Sequence, residues 1–162
     1  MRRAHYKTLR LLRVFVVHQE LRSSYLWSIV MSFDAKSVLA NLVEQERIKG
    51  HHSPEGRAIR TLARALSGWS AGTLSRADVI ILCEQAIEDW LKARLKRSPW
   101  SVESLPALLS AAVGQTLITP SEVTPLQKIH QQREVAVQAG AISIEAVEAV
   151  LEFCIQLLEK HW

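Results

Sequence analysis

The sequence predicts an all-α protein, an up-and-down bundle of the four-helix type with additional N-terminal helices. Three observations carry this reading. From Met31 onward, apolar residues recur at steps of three and four rather than two. A residue that caps helices, Asp34, Ser53, Ser75, Thr119 or Ser143, precedes most of these segments. Short breaks rich in glycine or proline separate them, with no run of alternating strand pattern. The 162 residues fit one domain and can bury a core without disulfides or metal staples.

Each helix can be justified in turn. Asp34 caps a first helix whose apolar positions include Val38, Leu39, Leu42 and Val43 and which stops at Gly50. Ser53 with Pro54 places a cap and a first-turn proline before a second helix, "EGRAIRTLARALS", ending at Gly68. Ser75 and Asp78 form an S-x-x-D start for a third helix running to about Arg97, with Val79, Cys83, Ala86 and Trp90 as its core face. "SPWS" breaks the chain before a shorter helix through Leu105, Leu108, Leu109 and Val113 to Gly114. Thr119, Pro120 and Glu122 read as a capping box, although Pro125 allows a later start at Thr124. Either start gives a helix over Leu126 to Val137.

Ser143 caps the last helix, where Ile144, Val147, Leu151, Cys154 and Leu158 form one stripe and Ala146, Val150, Phe153 and Leu157 a second. Together they span more than the roughly 100° of a surface helix. Such a helix is either central to the bundle or shared with a second subunit, and a homodimer is expected.

Charge and composition exclude several classes. The net charge is +4, but residues 1–30 alone hold six basic side chains against Glu20. The remainder, with 14 basic and 15 acidic residues, is not a basic body. Residues 1–30 are expected to be a basic extension outside the core, with an amphipathic helix packed on the body or a targeting or nucleic-acid-binding arm as the alternatives, and residues 31–162 the single helical domain. No uncharged apolar run there approaches the roughly 18 residues of a membrane span, and no convincing signal-peptide core is present. Cys83 and Cys154 fall in apolar helical patterns rather than a CxxC, which suits two core thiols in a reducing, cytoplasmic compartment.

Chemistry-bearing motifs are sparse. His51 and His52 lack patterned partners and read as solvated rather than metal-binding. No phosphate-cradling glycine loop occurs, and neither metal nor cofactor is expected. Lys92, Lys96 and Arg97, in "KARLKR", read as cations complementing a helix C-terminus, with an anion or RNA contact as the alternative. Most of the five tryptophans are assigned to the core, with no base-stacking array.

The stretch "REVAVQAG", residues 133–140, is the most informative. At about 100° per residue, Leu126, Ile129, His130, Arg133 and Val137 share one face and Gln127, Gln131, Glu134 and Gln138 another. An arginine on an apolar stripe needs a carboxylate or a cleft, because an unpaired buried charge is costly. Glu84 and Glu88, on the flank of the third helix, are the candidate partners.

The order "CEQAIEDWLKARLK", a shorter helix, "LQKIHQQREVAVQAG" and "ISIEAVEAVLEFCIQLLE" resembles the HEPN superfamily over about residues 75–160. Ala86-Ile87-Glu88 with Leu91-Lys92, and Ser143, Glu145 and Ala146, match its helix signatures, and Arg133 stands at the arginine of its R-x(4-6)-H motif. The resemblance implies a dimeric bundle. Active members are metal-independent ribonucleases in which two protomers bring their motifs together, with the histidine as acid-base group. Here Glu134 follows the arginine and Gln138 stands at the histidine position. Glutamine does not titrate near neutral pH and cannot do that work. The expectation is therefore a non-catalytic interaction module, such as the partners of nucleotidyltransferases in toxin-antitoxin and defence systems. A rewired ribonuclease using Arg133 with His130 is the alternative, and a purely structural homodimer a third.

Overall fold

Six α-helices and no strand occupy the described residues, 34–138 and 141–161, of the computed structural model. They are α1 (Ala35–Lys49), α2 (Pro54–Ser70), α3 (Arg76–Arg94), α4 (Leu105–Gly114), α5 (Pro120–Val137) and α6 (Ile144–His161). The expectation for residues 1–30 lies outside the described residues.

The helix starts follow the hydroxyl caps. Ser53 Oγ accepts the Gly56 N–H at 2.8 Å, and Ser143 Oγ accepts the Ala146 N–H at 3.1 Å. Ser75 and Asp78 form a reciprocal capping box, as do Thr119 and Glu122. α5 therefore begins at Pro120, and Pro125 lies inside it.

The helix ends differ from the sequence reading at two places. α2 continues past Gly68 to Ser70, and Gly68 is a position of close approach rather than a helix end, since Leu74 packs where its Cβ would stand. The chain then turns at Gly72, whose φ of 66° is the left-handed conformation of a Schellman ending. α3 stops at Arg94 rather than Arg97. The Lys96 and Arg97 N–H groups bond back to the Ala93 and Lys92 carbonyls, with Lys96 itself at φ 55°.

α3 is the hub, packing on α2, α4, α5 and α6. Its Val79, Ile80, Cys83, Ala86, Ile87 and Leu91 are fully buried. α2, counted in the sequence reading among the additional helices, belongs to the core: Ala58, Leu62, Ala65 and Leu66 are also fully buried against the hub. Each such leucine contributes about 1.5–3 kcal/mol on leaving water. α1 packs chiefly on α2 and buries only Leu42 completely, leaving Val43 and Ile48 exposed. Cys83 on α3 meets Cys154 on α6 as expected of core thiols. Their hydrogen bond, together with burial, pushes the Cys154 thiol well above its ordinary value.

Two assignments at helix ends are corrected. Val113 and Val137 are exposed, because each lies at the end of its helix beyond the neighbour that would cover it. Trp69 and Trp90 are core residues, but Trp100 lies in the α3–α4 loop at 82% exposure.

Candidate functional site

A buried carboxylate joins α3 to α5. Glu84 is only 3% exposed, on the side of α3 that packs against α5. His130 and Arg133 stand three residues apart on α5, so one turn of helix brings both to this carboxyl group. His130 Nδ1 lies 2.7 Å from Glu84 Oε1, and Arg133 Nε lies 3.1 Å from Oε2. The first contact is a hydrogen bond. In the second, Glu84 Oε2 receives no N–H directed at it, and the attraction is that of opposite charges. Arg133 also donates from a terminal nitrogen to Glu134 Oε1 at 3.0 Å.

The electrostatics are unusual for a paired acid. Burial raises the Glu84 pKa above its ordinary value, and the hydrogen bond to His130 and the charge of Arg133 only partly oppose it. Glu88, one turn along α3, is also raised, by burial and then by the charge of Glu84, with Lys92 and Arg133 opposing. Glu88 thus lies within the field of Arg133, while the direct ion pair is made by Glu84. The cluster places three carboxyl groups, Glu84, Glu88 and Glu134, around one arginine.

Arg133 occupies the rim of the α3–α5 contact, with a side chain 42% exposed. The stripe on which it was placed is buried at Leu126 and Ile129 and continues at Ala136 rather than Val137. Gln138 is exposed and caps the C-terminus of α5 through its backbone, away from the Glu84 cluster by helical position. Lys92 is corrected as an RNA contact. It is 8% exposed, because the inward side of α3 carries it towards Asp89. Lys96 and Arg97 are exposed, and Arg97 lies 3.8 Å from Glu103.

Two polar latches escaped the sequence reading. Glu122, beyond capping α5, accepts Lys160 Nζ at 2.7 Å and contacts His161 Nε2 at 3.2 Å. Burial disfavours its charge, but these contacts and those from Thr119 prevail and hold its pKa at about 2. Glu46 on α1 meets His51 Nδ1 at 2.6 Å and Arg60 on α2 at 3.1 Å. His51 is exposed, as expected, yet paired. No spacing rule exposes such contacts in advance, because their members are 14 or more residues apart except at the cap and the His51 turn.

Between α5 and α6 runs an open apolar groove of about 230 Å³, lined chiefly by Pro125, Ile129, Ala146, Ala149, Val150 and Phe153. Lys128 and Gln132 are its polar lining residues. The second stripe of α6 is thus divided: Val150 and Leu157 are buried within the chain, while Ala146 and Phe153 stay partly open. Among the described residues no cluster of metal-ligating side chains occurs, and no helix is long and apolar enough to cross a membrane.

Comparison of the chain with protein-family models, curated proteins and solved structures gives no match.

Proposed function

We propose that the chain is a non-catalytic, HEPN-like interaction module that pairs with a second copy of itself through the groove between α5 and α6. The observation that carries the non-catalytic reading is the acidic surround of Arg133. An RNA-cleaving centre must draw in a phosphodiester and stabilise added negative charge. Here the arginine faces Glu84 and Glu134, with Glu88 beyond, and Gln138 supplies no proton-transferring group. The pairing reading is supported by the apolar lining of the groove, in which Ala146 and Phe153 stay partly open.

Light scattering on the purified chain is expected to give twice its 18.3 kDa mass. Ala149→Arg places a long cation in the groove at an exposed position and is expected to return the protein to one chain mass with its helicity intact. A monomeric wild type at micromolar concentration rejects the self-pairing reading.

The 2.7 Å contact between His130 and Glu84 favours a second reading. With the proton on Nδ1, the carboxylate fixes the imidazole and leaves Nε2 as a base, as in other carboxylate–histidine dyads. A rewired ribonuclease would use that base. The assay that separates the readings is RNA cleavage by the wild type: none is expected, and cleavage abolished by His130→Ala would establish the enzyme instead.

A further inference from the structure

The loop between α3 and α4 carries a combination for which the bundle has no evident use. Trp100 holds its ring in solvent at 82% exposure, whereas Trp69 and Trp90 give theirs to the core. The loop is nevertheless ordered by its own bonds. The Ser98 carbonyl accepts the Ser101 N–H at 3.0 Å, closing a four-residue turn with Pro99 second and Trp100 third. The Trp100 N–H donates to Ser98 Oγ at 3.3 Å.

One face of the ring is already backed by a cation. The guanidinium carbon of Arg57, from α2, stands 5.5 Å from the ring centroid. Arg57 is in turn attracted to Asp89, a buried carboxyl with one oxygen lacking a hydrogen bond. Just upstream, the left-handed turn at Lys96 ends α3 and leaves Lys96 and Arg97 exposed beside the loop. Glu103, 3.8 Å from Arg97, is the carboxylate that a bound anion would compete with.

We infer that this loop is a binding platform for single-stranded nucleic acid, one base stacking on the open face of Trp100 while adjoining phosphates meet Lys96 and Arg97. A flat aromatic face beside two exposed cations matches the alternation of base and phosphate along a single strand. A duplex hides its base faces and offers only phosphates. An acidic polypeptide offers charge without the stacking partner. The inference concerns residues separate from the α5–α6 groove and stands independently of the pairing proposed there.

The test is fluorescence anisotropy of a labelled single-stranded DNA oligonucleotide titrated with the full chain, repeated with RNA of the same sequence, with duplex DNA and with polyglutamate as competitor. Both single strands are expected to bind, and more tightly than the duplex. Trp100→Ala is expected to weaken binding by about tenfold or more, and Trp100→Phe to restore most of it. Replacing Lys96 and Arg97 together by glutamine is expected to reduce the slope of log affinity against log salt by about 1.4. Because these side chains are exposed, the thermal midpoint should not fall in any variant. Binding unchanged by Trp100→Ala, equal binding of duplex, equal competition by polyglutamate, or no binding by the wild type at low salt would each overturn the inference.

Discussion

Glu84 places a carboxylate where charge is expensive, and its two partners do not offset the loss of water. Its folded pKa lies above the ordinary value, so its contribution to stability is fully present below about pH 4 and is lost as pH rises through the folded pKa. Glu84→Gln keeps the shape without the charge. It is expected to equal or exceed the wild type in thermal midpoint at pH 8 and to lose any advantage near pH 3; a large loss at pH 8 would mean that the ion contacts outweigh burial. Arg133→Ala is a different experiment, because it leaves the buried carboxyl with His130 alone. A fully buried pair would lose about 3–5 kcal/mol, but the exposure of Arg133 brings the expected cost nearer 1 kcal/mol, measurable by urea denaturation. The sequence could narrow the partner of Arg133 to Glu84 or Glu88, because burial of the stripe demanded a carboxylate from a neighbouring helix, but it could not choose between them; the ion pair is made by Glu84. It could not separate the buried middle of the stripe from its rim. It also could not show that the three-residue spacing of His130 and Arg133 converges on one acid, since that depends on how closely α5 approaches α3.

The starts of the helices were legible because a cap is a local bargain between a hydroxyl and N–H groups two or three residues on. Their ends were less so: α3 is closed by Lys96, a left-handed residue other than glycine, and α2 runs through Gly68 to turn at Gly72. Thr116 ends α4 at φ 55°, a conformation unfavourable for a β-branched side chain. Thr116→Gly is expected to stabilise the fold by about 1 kcal/mol, and an unchanged or lower denaturation midpoint would contradict the assignment of strain. The Glu122 latch was invisible because Lys160 and His161 reach it from the far end of another helix. Its pKa of about 2 lies below the unfolded value, so its contribution is present above about pH 4.5 and is lost as pH falls through 2. Glu122→Gln should therefore cost stability at pH 7 and progressively less in acid. Solvent screening at the exposed Lys160 limits the expected loss to about 1–3 kcal/mol.

At the scale of the whole molecule, the all-α class was readable from periodicity, but the ranking of the helices was not. α2 reads as an addition by its position in the chain, yet packing makes it a wall of the core, while α1 is held by less. Beyond Leu42, α1 relies on the Glu46 contacts with Arg60 and His51 and on a 3.2 Å bond from Asn41 to Glu159. Local opening should follow this order, because an element with few buried contacts detaches at a cost below that of global unfolding. Native-state hydrogen exchange is therefore expected to be slowest in α3 and fastest in α1 among helices α1, α2, α3 and α6. Two leucine substitutions sharpen the expectation. Leu62→Ala opens a cavity between α2 and the hub, should cost about 2–5 kcal/mol, and should speed exchange throughout the bundle. Leu42→Ala removes an equally buried side chain, but its loss is capped by the docking energy of α1, so exchange should quicken in α1 and stay unchanged in α3. If the α1 amides instead exchange as slowly as those of α3, and Leu42→Ala accelerates both alike, α1 is part of the same cooperative unit and its sparse burial understates its attachment.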